Sequence, residues 1–83
     1  MNILQAAEFL TDKMTSEVRF MKTLRGVVTE AFEDTNLQEM SMSYINYINK
    51  RIEMFETSSS KMQEMIMEED VDSLKQVLQI YSE

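Results

Sequence analysis

The chain has 83 residues, no Cys, no His, no Pro and one Gly, and its formal net charge is −7. Disulfides are therefore excluded, and the commonest zinc and transition-metal ligands are missing. A chain of this length hides only roughly 60% of the surface that its unfolded form exposes, so a deep active-site cleft is hard to build. Ser and Thr have no His partner for activation, and one Gly cannot form a phosphate-binding loop. We expect no enzymatic activity, no metal and no cofactor.

The scarcity of turn residues argues against β-hairpins and predicts an all-α fold. The first predicted helix covers residues 3–33 and begins at a capping box formed by Asn2 and Gln5. Apolar residues recur along it at alternating spacings of four and three, with Glu17 in the one slot that is not apolar. This stripe consists of Ile3, Ala7, Leu10, Met14, Met21, Leu24, Val28 and Ala31. Further apolar residues flank the stripe, so the apolar arc is too wide for one neighbouring helix.

The second predicted helix covers residues 37–68 and follows a turn at residues 34–37. Asn36 with Glu39, or Thr35 with Gln38, is a candidate capping box. Its stripe follows the same spacing, with Ser59 in the odd slot, and consists of Ile45, Ile48, Ile52, Phe55, Met62 and Ile66. The Ser-rich run at 57–60 leaves two interpretations open, a continuous helix or a second helix that begins at Ser60, and the unbroken heptad phase favours the first.

The third predicted helix covers residues 71–82, with Asp70 or Asp72 as its cap. Its apolar residues lie on one face and are Val71, Leu74, Val77, Leu78 and Tyr81. About three turns are too few for a helix to be stable alone, so this helix has to dock on the rest of the fold or on another copy.

A short link between two long helices makes them antiparallel neighbours. We therefore predict one domain, residues 1–83, consisting of a helical hairpin with a short C-terminal helix. Because the apolar arcs are wide, we expect the hairpin to assemble into a dimer or a higher helical bundle. A compact monomeric three-helix bundle is the alternative.

A second apolar stripe runs beside the main one on the second helix and is the candidate partner interface. It consists of Met40, Tyr44, Tyr47, Met54 and Met65. Flexible Met side chains adapt to varied partners, and Tyr has an apolar body with a polar tip. Ordinary core packing is the competing interpretation of the Met residues, of which the chain has nine.

Two polar features complete the candidate sites. A set of basic residues near mid-hairpin is a candidate anion-binding cluster, with solvated surface charge as the alternative; it comprises Arg19, Lys22, Arg25, Lys50 and Arg51. Glu17 and Ser59 form a candidate polar layer in the helix seam, where polar residues can set the register. Glu17 can equally extend to water from the edge of the seam.

The charge distribution bears on partners. Residues 29–39 carry four acidic and no basic side chains, and residues 63–73 carry five acidic and no basic ones. Such a chain repels nucleic acid, so direct nucleic-acid binding is not expected. No basic region followed by an apolar run precedes the first helix, and no apolar run reaches the length of a membrane span, so a cytoplasmic location is the default expectation.

These features predict a non-enzymatic protein that acts through protein–protein contact, as an adaptor, a chaperone or an inhibitor, and that also associates with itself. One alternative is an oligomeric binder of a small anionic ligand such as a nucleotide. Another is an acidic mimic of nucleic acid that inhibits a DNA- or RNA-binding enzyme.

Overall fold

The computed structural model describes residues 2–82, and this part of the chain forms three α-helices and no strand. Helix α1 spans Ile3–Ala31, α2 spans Gln38–Met67 and α3 spans Val71–Ser82. The all-helical prediction is confirmed. None of the helices within residues 2–82 is both long enough and apolar enough to cross a bilayer.

Helices α1 and α2 lie side by side in opposite directions, and the molecule measures 51 × 20 × 16 Å. Two polar contacts join the helices across the seam. Arg25 Nη1 donates a hydrogen bond to Asn49 Oδ1 at 2.8 Å, and Lys22 Nζ lies 3.5 Å from Glu56 Oε1. Residue numbers therefore fall along α1 in the direction in which they rise along α2, as the heptad stripes predict for a hairpin.

The first helix begins as its sequence indicates. The Gln5 backbone N–H donates to Asn2 Oδ1 at 2.9 Å, and the Asn2 backbone N–H donates to Gln5 Oε1 at 3.1 Å, which is a complete capping box. The helix ends at Ala31, two residues earlier than predicted, because Asp34 adopts a left-handed conformation with φ of 62°. Short polar residues such as Asp tolerate this region better than most, and it turns the chain back.

The second helix begins without the predicted capping boxes. Leu37 is the N-cap residue and no side chain caps the helix. Instead the Leu37 backbone N–H donates to Thr35 Oγ1 at 3.3 Å within the turn. The helix is continuous through the Ser-rich run, where buried Ser59 accepts a hydrogen bond from Gln63 Nε2 at 3.2 Å.

Helix α3 is capped by Asp70, whose carboxylate accepts from the Ser73 backbone N–H at 3.3 Å and from Ser73 Oγ at 2.8 Å. The helix docks through Leu74, which is fully buried with three residues of the hairpin, Ala7, Met14 and Met62. A shell of partly buried residues packs around these four: Ile3, Leu4, Leu10, Phe55, Met65, Ile66 and Val77. This cluster therefore lies at the end of the hairpin where α1 begins, and two further buried residues, Ile48 and Ile52, lie closer to the turn.

The two ends of the hairpin differ as a result. At 1.5 Å per residue α1 is about 44 Å long and α3 about 18 Å. Near the C-terminal end of α3, Tyr81 Oη lies within hydrogen-bond distance of Ser58 Oγ, at 3.4 Å. The third helix thus covers roughly the first 20 Å of the hairpin. The remaining stretch of about 25 Å, towards the turn, consists of α1 and α2 only.

Candidate protein-interaction surface

An open apolar groove lies between α1 and α2 at the turn end of the hairpin. We call it the turn-end groove, and its volume is about 870 Å³. Its lining is almost entirely apolar side chains, with Glu39 at the edge; the lining residues are Leu24, Val28, Glu39, Met40, Ser43, Tyr44, Tyr47 and Ile48. An apolar concave surface of this size on a small protein is a candidate binding site.

The turn-end groove continues the surface on which α3 sits. Leu10, which packs against the α3 core, is separated from Leu24 by two heptads, and Phe55 is separated from Ile48 by one. Met65, beside α3, is three heptads from Tyr44. Residues separated by whole heptads lie on the same side of a packed helix. The same face of the hairpin therefore binds a helix at one end and is open at the other.

The candidate interface stripe divides between these two regions. Met65 is partly buried beside α3, whereas the other four members, Met40, Tyr44, Tyr47 and Met54, are between 46% and 57% exposed. The Tyr44 ring stacks against Phe32 with centroids 6.2 Å apart and an interplanar angle of 25°. The structure thus holds Tyr44 in place at the groove and leaves its face accessible.

Helix α1 adds apolar side chains to the same surface. Phe20 and Val27 are 60% and 56% exposed. They are four and three residues from Leu24, so they lie beside it on the surface of α1. The heptad pattern predicts that Leu24, Val28 and Ile48 lie in the seam of the hairpin. Ile48 is buried there, Leu24 and Val28 are partly buried, and all three line the groove. The signal that would have located the groove is the length of α3, because a twelve-residue helix covers less than half of the stripe.

The candidate anion-binding residues are divided between the two sides of the hairpin. Lys22 pairs with Glu56 and Arg25 binds Asn49 on the side away from α3. Arg51 lies on the α3 side, where its guanidinium stands 5.0 Å from the centroid of the Phe55 ring. Two further members, Arg19 and Lys50, are exposed. The five residues do not converge on one pocket.

Arg51 belongs to a smaller pocket between the C-terminal end of α3 and the turn-end groove. We call it the central pocket; its volume is about 460 Å³, and Lys13, Glu17, Met54 and Tyr81 also line it. The Arg51 Nε atom is buried and has no hydrogen-bond partner within residues 2–82. This pocket brings two cations and one carboxylate together at the inner end of the apolar face.

Glu17 and Ser59, the candidate seam layer, lie on different sides of the hairpin. Half-buried Glu17 lines the central pocket, and Ser59 lines a shallow pocket with Lys22 and Glu56 on the other side. Ser59 is bound by Gln63 of its own helix. The two side chains therefore do not pair with each other.

The described residues offer no other chemical centre. Within residues 2–82 no group of three Asp or Glu side chains comes close enough to hold a metal ion. Comparisons of the chain with protein-family models, with curated proteins and with solved structures give no match. The physical character of the groove is therefore the basis for a functional proposal.

Proposed function

We propose that this protein is a non-enzymatic, self-associating interaction module that acts by burying its turn-end groove against another protein chain. One observation carries the proposal: beyond the charged central pocket, the heptad face that seats α3 is again apolar, and it is open as far as the turn. A face built to pack helices, with half of its length uncovered, is favourable to cover because large apolar side chains leave water. The proposal includes a homo-oligomer in the cytoplasm, and a role as an adaptor, chaperone or inhibitor of a partner protein.

The energetics favour association over a merely exposed surface. Four large side chains of the α2 stripe and two of α1 are each about half exposed within one continuous region. Burial of apolar surface contributes roughly 25 cal/mol per Å². Aromatic side chains and Met are also the residue types enriched at the centres of protein interfaces.

Self-association is tested by measuring the molar mass of the purified protein by light scattering over a range of concentrations. We expect a dimer or a larger assembly. Tyr47→Glu places a charge in the groove and should give a monomer with unchanged helical content. Asn46→Glu is the matched control, because it makes the same charge change at the adjacent exposed residue outside the groove.

A concentration of about 100 µM is high enough to populate all but the weakest specific associations. A wild-type protein that is still monomeric at this concentration would contradict self-association. Equal effects of Tyr47→Glu and Asn46→Glu would show that charge, and not the groove, governs assembly.

The structure gives less support to the two alternatives. The basic residues that an anionic ligand would need are divided between two sides of the hairpin. The acidic segments 29–39 and 63–73 lie at opposite ends of a molecule 51 Å long, so a nucleic-acid mimic would contact its enzyme at two distant points. A thermal-shift panel of nucleotides and a salt titration of enzyme binding remain the tests of these two predictions.

A further inference from the structure

We propose that a second copy covers the turn-end groove. The apolar faces of the two hairpins pack against each other, with the hairpins antiparallel and a two-fold axis beside Tyr47. The inference rests on the proposed self-association and adds its geometry. In this arrangement the turn of each copy reaches the central pocket of the other, so each half of the interface is completed by its partner.

Three residues of the apolar stripe on α2 are symmetric under this reversal. Met40 and Met54 each lie seven residues from Tyr47, one on either side. A two-fold axis at Tyr47 therefore sets Met40 of one copy against the partner's Met54, and Tyr47 against the partner's Tyr47. A surface that meets itself across a two-fold axis has to be self-complementary. These three residues meet that condition, and Tyr44 comes opposite the partner's Lys50.

Charge selects the antiparallel orientation over the parallel one. Residues 29–39, at the turn, carry four acidic side chains and no basic one. In a parallel pair the two turns would lie together, and like charges held at close range are unfavourable. In the antiparallel pair Glu39, which lines the groove, comes level with the partner's central pocket. That pocket contains Lys13 and Arg51 against one carboxylate, Glu17, so its net charge is positive. The buried Arg51 Nε then has an acidic segment next to it.

The length of α3 matches this overlap. The stretch of hairpin between the end of α3 and the turn is about 25 Å long. The partner has an uncovered stretch of the same length, and the two stretches overlap in the proposed dimer. Tyr81, near the end of α3, lines the central pocket and limits how far the partner's turn can extend. The third helix therefore sets the register of the second copy.

The area is sufficient for a dimer of moderate affinity. A contact about 25 Å long across a molecule 20 Å wide covers roughly 500 Å² per copy and roughly 1,000 Å² in total. Specific interfaces begin near this total, so we expect assembly to depend on protein concentration.

The relative orientation of the two copies is tested by cysteine crosslinking. Because the natural sequence has no Cys, only the introduced thiols react. Asn36→Cys marks the turn. Ser16→Cys marks the inner end of the apolar face, because Ser16 is three residues from Lys13 and so lies on the same side of α1. We expect a short bismaleimide to link Asn36→Cys to Ser16→Cys in a mixture of the two variants, and Asn36→Cys alone to crosslink poorly because the turns lie at opposite ends.

Charge pairing is tested by the dimer dissociation constant in sedimentation experiments. Arg51→Glu should weaken the dimer about tenfold, since the change acts twice in a symmetric assembly, and adding Glu39→Arg in the same chain should restore most of the affinity. Lys50→Glu is the matched control, with the same charge change at the adjacent exposed residue. Restoration by Glu39→Arg distinguishes lost pairing from a folding defect caused by the loss of the Arg51–Phe55 contact.

The outcomes separate the two proposals. Efficient crosslinking of Asn36→Cys to itself, or failure of the mixed pair to crosslink in a protein that does dimerise, overturns the antiparallel arrangement and leaves self-association standing. Equal dissociation constants for Arg51→Glu and Lys50→Glu also count against it. A wild-type protein that stays monomeric overturns both proposals.

Discussion

Replacing Leu74 by Ala should detach α3 from the hairpin. Leu74 is fully buried in a cluster with Ala7 and Met14 of α1 and Met62 of α2. Leu→Ala substitutions at buried sites cost about 2–5 kcal/mol. For 83 residues, stabilities of 0.05–0.15 kcal/mol per residue correspond to about 4–12 kcal/mol in all. The expected loss of about 3 kcal/mol is therefore a large fraction of the total.

The loss should appear first in α3. Twelve residues do not maintain a helix in water without packing, so a weakly docked α3 unfolds while α1 and α2 still support each other. Urea unfolding followed by circular dichroism measures both effects. The starting helical signal should fall by about one-sixth, because α3 supplies 12 residues against 29 in α1 and 30 in α2. Protein concentration has to be held constant, since association stabilises the folded state.

Ile80→Ala is the matched control for Leu74→Ala. Ile80 lies on the same helix and is 69% exposed, so its truncation should change the free energy of unfolding by less than about 0.5 kcal/mol. A cost below about 1 kcal/mol for Leu74→Ala, or equal costs for the two variants, would refute the reasoning. In that case the core around Leu74 does not hold α3 in place.

Gly26→Ala should stabilise the protein by about 0.5–1 kcal/mol, because Gly26 lies in α1 and a Cβ there meets nothing within 4 Å. A rise of about 2–8 °C in melting temperature would show it, and a fall would indicate close packing in the assembly. Asn2→Ala should cost about 1 kcal/mol in urea unfolding through loss of the capping box, and no change would show that the cap contributes nothing. Lys22→Ala should cost less than about 0.5 kcal/mol, since Lys22 and Glu56 are each about half exposed, and a larger loss would mean that the pair is shielded from water. Asp70→Ala should lower the stability of α3 by about 1 kcal/mol, which amide hydrogen exchange in residues 71–82 measures, and unchanged exchange would contradict the capping role.

Sequence reasoning predicted the helices well because their signals are local and repeated. The heptad stripes, the Asn2 capping box and the scarcity of turn residues all point to the same fold. The helix ends were less accurate near the turn, where left-handed Asp34 ends α1 early and Leu37 starts α2 without a side-chain cap. Several residues there qualify as caps by type, and backbone geometry selects among them.

Sequence reasoning described the candidate site only in part. It identified the apolar stripe that includes Tyr44 and Tyr47, because heptad position alone separates it from the seam. It grouped Arg51 with Lys22 and Arg25, which lie on the other side of the hairpin. The structure does not bring these residues together, because the side of a helix on which a residue lies depends on its position along the helix and not on its charge.

The length of α3 decides whether this fold closes within one chain. A hairpin with wide apolar arcs needs a third helix along its full length, and α3 supplies twelve residues where the hairpin has about thirty. Where α3 ends, the charged residues of the central pocket interrupt the heptad face. Towards the turn the face is apolar again at Leu24 and Ile48, and it gains Tyr44 and Tyr47. Polar residues in the uncovered part would make it more soluble, and they would not reduce the stability that the core around α3 provides at the other end of the hairpin. This uncovered apolar face is the reason for the proposal that another chain packs against it.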